Sequence, residues 1–154
     1  MKKNGLNKLL ALLLALVMVL ALAACGNKAQ DNGGTGDDAN VVTDGTVADG
    51  ATVGKGATAF TVEVAQLDGT SITFTVNTDK ATVGEALLEL GIVAGDDTEY
   101  GLYVKTVNGV TLDYDMDGAY WAFYINGEYA STGVDATNIE AGATYALKAE
   151  KAAG

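Results

Sequence analysis

The sequence has 154 residues, enough for one modest domain with additional segments. Its nine basic residues are all lysines, and 20 aspartates and glutamates give a net charge of −11. Because an anionic surface repels phosphate groups, this charge excludes nucleic-acid binding and charge-driven membrane binding. The absence of histidine and the single cysteine exclude catalytic triads that depend on imidazole, as well as the usual tetrahedral zinc sites.

The N-terminal segment is typical of a secretory signal sequence. Three lysines within the first eight residues precede an apolar run from Leu9 to Ala24. This run is short for a membrane span, and it ends in small residues suited to cleavage. We predict that residues 1–24 are a signal peptide.

The end of this segment, Leu22-Ala-Ala-Cys25-Gly26, resembles a bacterial lipobox, in which the cysteine becomes the first residue and carries lipid. Cys25 is the only cysteine, so an intramolecular disulfide is excluded. The alternative is a buried or incidental cysteine. We predict lipidation at Cys25, with two or more acyl chains holding the protein firmly at the outer face of the bacterial cell membrane.

Residues 25–58 are rich in Gly, Asp, Asn, Thr and Ala and contain no aromatic side chain. Such a composition buries too little apolar surface to offset the entropy lost on ordering. We therefore predict a lipidated flexible tether over 25–58, followed by a folded domain over 59–154.

The folded domain opens with two runs of alternating apolar and polar residues around Asp68-Gly69. An Asp-Gly pair between such runs favours a β-hairpin, with strands over about 60–66 and 70–77. The period then changes, because Thr82 and Glu85 form a capping-box pattern before a stretch with helical spacing. This pattern predicts one short helix over 83–90.

The remainder of the chain returns to strand patterns. Two Asn-Gly pairs, at 108–109 and 126–127, predict hairpin turns, and positive φ is expected at both positions of the pair at 126–127. Asp96 and Asp97 are expected in a loop after the helix. The strand segments read from the pattern are 102–109, 110–114, the two arms of 120–131, and 143–151, with one helical turn within 133–142.

The third hairpin carries the candidate ligand-binding residues. Strand alternation places Trp121, Phe123 and Ile125 on one face, and Tyr120, Tyr124 and Asn126 on the other. Phe123 and Ile125 are most simply core. Trp121 is either core or a ring offered to a flat ligand at the strand end.

The opposite face carries tyrosines that suit a planar or sugar-like partner, because each gives apolar area with a polar tip. Tyr103 from a neighbouring strand, and Tyr129, could join Tyr120 and Tyr124. The alternative is that these side chains are simply solvated on a two-sided sheet. Asn126 belongs to the candidate set, although its main role is expected in the turn.

Asp113, Asp115, Asp117 and Gly118 match the first half of an EF-hand calcium loop. The twelfth position of that loop should be a glutamate, and here it is Tyr124. We therefore expect no calcium or other metal site and no cofactor, and we interpret the three acids as a solvated turn.

The helix segment TVGEALLELG and the later VNGV…WAFYING…GV…G pattern resemble a bacterial family of domains of unknown function related to the C-terminal β-domain of transcobalamin and intrinsic factor. The resemblance covers about residues 60–151. It implies an α+β, β-grasp-like fold with a mostly antiparallel sheet and one short helix. It also implies a domain that binds a soluble ligand, with cobalamin or another corrinoid as the first candidate.

Three functions remain open from the sequence. The first is a non-catalytic binding module at the cell surface that takes up a corrinoid, together with a membrane transporter. The second is a structural or protein-interaction domain that holds another surface protein. The third and least favoured is a hydrolase with paired carboxylates, and we expect that the protein is not an enzyme.

Overall fold

The computed structural model describes residues 42–154, so the predicted signal peptide, Cys25 and the first part of the predicted tether lie outside the described residues. These residues form nine strands, two short α-helices and one 3-10 turn. In chain order they are β1 (Thr52–Gly54), β2 (Thr58–Ala65), β3 (Ser71–Thr78), α1 (Val83–Glu89), β4 (Val93–Thr98), β5 (Gly101–Val107), β6 (Val110–Thr111), α2 (Tyr114–Asp117), β7 (Ala119–Ile125), β8 (Glu128–Tyr129), the 3-10 turn (Val134–Ala136) and β9 (Thr144–Lys151). The predicted α+β class with a dominant sheet is confirmed.

The strands form two sheets. The larger has six strands in the order β1-β3-β2-β9-β7-β8, and the smaller has the order β4-β5-β6. The β2–β3 hairpin is antiparallel, whereas β2 and the last strand, β9, run parallel at the centre of the larger sheet. Every element from β3 to the 3-10 turn lies between β2 and β9 along the chain, and a parallel pair requires such a long connection.

The core lies against one face of the larger sheet, where other elements of the domain cover that face. Alternate residues of the central strands point inward, among them Phe60 and Val62 of β2 and Tyr145 and Leu147 of β9. Leu87 of α1 is fully buried against them. The helix begins where the sequence predicts, because Thr82 accepts from the amide of Glu85 and the Glu85 carboxylate accepts from the amide of Thr82.

The predicted Asn-Gly turns are confirmed. Asn108 and Gly109 have φ of 48° and 81°, and Asn126 and Gly127 have φ of 49° and 86°. Both residues of each pair thus occupy the left-handed region that a two-residue hairpin turn with right-handed strand twist requires.

The structure corrects the predicted start of the ordered region. Val47 and Val53 are buried in the core, and β1 pairs parallel with β3. Residues 42–58 are therefore part of the domain rather than a flexible tether. The segment gains its structure from pairing with β3, and its own Gly-rich sequence does not predict this pairing.

Two other expectations are wrong in detail. Asp96 and Asp97 lie in strand β4, paired with β5, and not in a loop. Aspartate and glycine disfavour strands, so the pairing with β5, which includes a bulge between Ala94 and Gly95, decides this conformation. The strand predicted over 110–114 ends at Thr111, since α2 begins at Tyr114.

Candidate ligand-binding site

A cavity of about 380 Å³ is lined mainly by tyrosines from four different elements. We call it the tyrosine cavity, and its lining residues are Tyr103 of β5, Tyr114 of α2, Tyr120 of β7, Tyr129 of β8, and Ala152 and Ala153 after β9. Both sheets thus contribute to it. Its size is near the lower end of the range of about 300–1,000 Å³ that is typical of small-molecule sites.

Strand alternation and a hairpin turn position two of these rings. Tyr120 lies on the outward face of β7, opposite the face whose Trp121 and Phe123 enter the core. Tyr129 lies directly across from Tyr124 in the β7–β8 pair. The type of turn at Asn126 fixes this register, and the two rings meet edge to face with centroids 5.4 Å apart.

Tyr114 is placed by a single helical turn that caps itself. The Asp113 carboxylate accepts from the amides of Asp115 and Met116, at 2.9 and 3.0 Å. The Asp117 carboxylate accepts from the amide of Asp113 at 2.8 Å. Gly118 then ends the turn with φ of 60°. The acids of this segment therefore shape α2, which delivers the Tyr114 ring to within 6.3 Å of the Tyr120 ring at a tilt of 49°.

Glu150 of β9 organises the tyrosines of β7. Its carboxylate accepts from the hydroxyl of Tyr120 at 3.2 Å and from the hydroxyl of Tyr124 in a short hydrogen bond. The bond to Glu150, followed by desolvation, raises the pKa of Tyr124 to about 12. Desolvation, followed by the bond to Glu150, also raises the pKa of Tyr120. Both phenols are therefore held as neutral donors toward one carboxylate.

A lysine lies against Tyr124, which is outside the cavity lining. The Lys148 ammonium lies 5.2 Å from the centroid of the Tyr124 ring, within the range of a cation–π contact. It also pairs with Glu63 at 3.5 Å. The outward face of the sheet thus shows one cation held jointly by a ring and a carboxylate.

Two of the predicted ligand-binding residues lie elsewhere. The Trp121 side chain belongs to the core, only 7% of its surface is exposed, and its indole N–H donates to the Lys105 carbonyl at 3.1 Å. Asn126 makes the β7–β8 turn, and its side-chain oxygen accepts from the Thr144 amide at 2.9 Å. Both polar groups are thus already engaged with main-chain atoms. The binding roles of Trp121 and Asn126 stay predictions.

The structure brings Tyr103 and Tyr120 together in the cavity, whereas Tyr124 is outside the lining and contacts Tyr129 edge to face. Sequence reasoning missed Tyr114, because the segment 110–114 was interpreted as a strand. The available signal was the pairing of an N-capping aspartate, Asp113, with a glycine at 118, which is typical of a short helix. Ala152 and Ala153 carried no local signal.

The part of the chain that the structure describes holds two further cavities. One of about 740 Å³ is made by residues 97–103 alone, at the β4–β5 hairpin. The other, of about 360 Å³, lies beside α1, β1 and β3. Within residues 42–154 no three Asp, Glu, His or Cys side chains are grouped closely enough to hold a metal ion, and no helix there has the length and apolar character to cross a membrane.

Comparison with protein families matches residues 80–150 to a domain of unknown function, DUF4430. A candidate metal-binding protein from Ruminococcus gnavus ATCC 29149 is 31% identical, with a TM-score of 0.60, over all of that chain and 63% of this one. Haptocorrin in complex with cobinamide (Cbi) is 14% identical, with a TM-score of 0.47, over 66% of this chain and 27% of haptocorrin. No curated protein matches the sequence.

The resemblance predicted from the sequence, to a bacterial family of domains of unknown function, is confirmed. The family match includes α1, the tyrosines of the cavity and Glu150. The relative from R. gnavus is similar over its whole length. The chain therefore belongs to the DUF4430 family of domains.

Proposed function

We propose that this protein is a non-catalytic binding protein whose domain takes up a soluble ligand at the tyrosine cavity. The observation that carries the proposal is the convergence of four tyrosines from four separate elements on one cavity. Exposure of apolar ring surface to water is unfavourable, yet more than half of the surface of Tyr114 and of Tyr129 is exposed. Concave sites with aromatic walls and a few polar tips are typical of ligand binding.

The ligand that the sequence resemblance favours is cobalamin or another corrinoid. The order of the elements supports that resemblance, because β2 and β9 lie parallel at the centre of the sheet and α1 follows the first hairpin. A corrinoid is larger than the tyrosine cavity and would lie across it, with one part against the rings.

We further propose that the domain is anchored through lipid on Cys25 at the outer face of the bacterial cell membrane. The support is the apolar run that ends in Leu22-Ala-Ala-Cys25-Gly26, together with the absence of any other cysteine. After removal of residues 1–24, six lysines face 20 acids, a formal charge of −14. Such a surface does not bind anionic lipid by charge, and this favours a covalent lipid anchor.

The second candidate function is a protein-interaction domain at the cell surface. Among residues 42–154, β4 pairs only with β5, and Ala94 to Thr98 are exposed. A free strand edge can accept a strand from another protein. The Asp97 side chain on this strand would favour a basic partner, whereas Asp96 already pairs with Lys105.

Equilibrium dialysis of the full chain in dodecyl maltoside against cobalamin and cobinamide tests the first candidate. We expect retention of the corrinoid, weakened in Tyr114→Ala and Tyr129→Ala. The matched control is Tyr100→Ala, since Tyr100 is 93% exposed and lies outside the cavity lining. No retention at high micromolar ligand removes the corrinoid proposal, and equal loss in all three variants moves the site away from the cavity.

Labelling of the producing bacterium with an alkyne-modified palmitate tests the anchor. We expect label on the parent chain and none on Cys25→Ser. Equal labelling of the two proteins would place the lipid elsewhere and remove the proposed anchor.

A further inference from the structure

Two of the four rings that line the tyrosine cavity are inclined to each other. Tyr114 and Tyr120 are tilted by 49°, with centroids 6.3 Å apart, and Tyr103 and Tyr129 complete the lining from other elements. A flat stack would expose one ring plane to a ligand. The inclination of Tyr114 to Tyr120 leaves these two rings unstacked, and a cation seated among aromatic rings is attracted by the negative face of each ring over which it lies.

Charge around the cavity has the sign that a cation needs. The Tyr120 hydroxyl donates to the Glu150 carboxylate, which draws electron density into the ring and strengthens its attraction for a cation. Asp115 and Asp117 lie on the same helical turn as Tyr114. The chain as a whole carries −11.

The nearby lysine side chains are not part of the cavity lining. Lys105 pairs with Asp96 at 2.6 Å, and Lys148 lies over Tyr124 and pairs with Glu63. Lys151 follows Glu150 in β9 and therefore points to the opposite face of the sheet. None of these three lines the tyrosine cavity. The ring that Lys148 contacts, Tyr124, lies outside the cavity lining, so this ammonium group does not occupy the cavity.

We propose that the tyrosine cavity binds a small soluble organic cation, with a quaternary ammonium group of the choline type seated among Tyr103, Tyr114, Tyr120 and Tyr129. This inference rests on the proposed ligand-binding function, and it names an organic cation in place of a corrinoid as the occupant of the same cavity. Quaternary ammonium suits the site better than a primary ammonium, because its methyl groups contact the rings and the two alanine methyls without needing hydrogen-bond acceptors.

The test is a titration followed by NMR on the full chain with 13C-labelled tyrosine rings, in dodecyl maltoside, a detergent without an ammonium group. The probes are choline and 3,3-dimethyl-1-butanol, which has the same shape but carbon in place of the charged nitrogen. We expect choline to shift the resonances of the four cavity tyrosines with a millimolar dissociation constant. Tyr100 and Tyr145 serve as internal controls, since neither lines the cavity.

The charge requirement separates this inference from simple filling of the cavity. We expect the neutral isostere to bind at least about five-fold more weakly than choline, and removal of one ring by Tyr114→Ala or Tyr129→Ala to weaken choline binding about two- to five-fold. Tyr100→Ala should leave it unchanged. Equal affinity for choline and the neutral isostere would overturn the proposal that the cavity recognises a cation.

Phosphocholine distinguishes a lipid headgroup from a free ligand. Its phosphate faces an anionic site, so we expect it to bind more weakly than choline. Tighter binding of phosphocholine would overturn the choice of a free cation. Retention of corrinoids without any choline shift would sink this inference and leave the proposed function standing, whereas no response to any of the probes would remove both.

Discussion

Replacement of Trp121 by phenylalanine tests whether this residue belongs to the core or to the ligand site. Trp121 connects β7 to β5, because its indole N–H donates to the Lys105 carbonyl at 3.1 Å while its ring is buried. The same carbonyl also accepts from the Leu112 amide at 2.9 Å. The substitution therefore removes one bond without leaving the Lys105 oxygen unpartnered.

The magnitude follows from these contacts. A net hydrogen bond contributes about 0.5–1.5 kcal/mol, and no further penalty for an orphaned acceptor arises, since Leu112 still donates to Lys105. The smaller ring loses packing worth on the order of 1–2 kcal/mol. We expect Trp121→Phe to lower the free energy of unfolding by about 2–3 kcal/mol, and Trp121→Ala by about 3–5 kcal/mol.

Urea unfolding followed by far-ultraviolet circular dichroism measures this change without depending on the only tryptophan. Tyr100→Ala is the control for a substitution at an exposed ring, with an expected change within about 0.5 kcal/mol. A Trp121→Phe protein as stable as the parent would refute the structural role. If that protein also lost its ligand, Trp121 would return to the binding role predicted from its position at the strand end.

Three further substitutions test separate parts of the structure. Glu150→Gln should lower the pKa of Tyr124 from about 12 toward 10, because the charged acceptor is gone, and absorbance at 295 nm during alkaline titration measures it. Because folding raises the pKa of Tyr124, the stability that this residue contributes is complete below pH 10 and is lost as the pH rises through about 12. The parent should therefore lose more stability than the variant between these pH values. An unchanged titration would contradict the role of Glu150. Thr82→Ala should cost about 1 kcal/mol in urea unfolding, and no loss would mean that the capping box is dispensable. Val53→Ala should cost about 2 kcal/mol because Val53 is fully buried, whereas a flexible segment there would make the change neutral.

Local features of the fold could be predicted because their causes lie within a few residues. The Asn-Gly turns need positive φ at neighbouring positions, and Asn108 and Asn126 adopt it. The capping box joins residues three apart. Alternation in β7 separated Tyr120 and Tyr124 from the core residues Trp121 and Phe123, as the structure shows.

Features that depend on distant partners could not be predicted in the same way. β1 is only three residues long and β4 contains Gly95, Asp96 and Asp97, and each strand takes its conformation from a neighbour, β3 or β5. The indole of Trp121 points into the core because the Lys105 carbonyl lies within reach. The pattern within β7 alone left core and ligand roles both open for this residue.

The sequence by itself determined the turns, the helix start, the inward and outward faces of β7, the family and the anionic character, because periodicity, dihedral preference and charge act locally or by summation. Only the tertiary structure decided which tyrosines share a cavity. Tyr103, Tyr114, Tyr120 and Tyr129 are separated along the chain, and two sheets, one self-capped helical turn and the β7–β8 register bring them together. A binding site of this kind depends on relative placement in space, and packing of the whole domain fixes that placement.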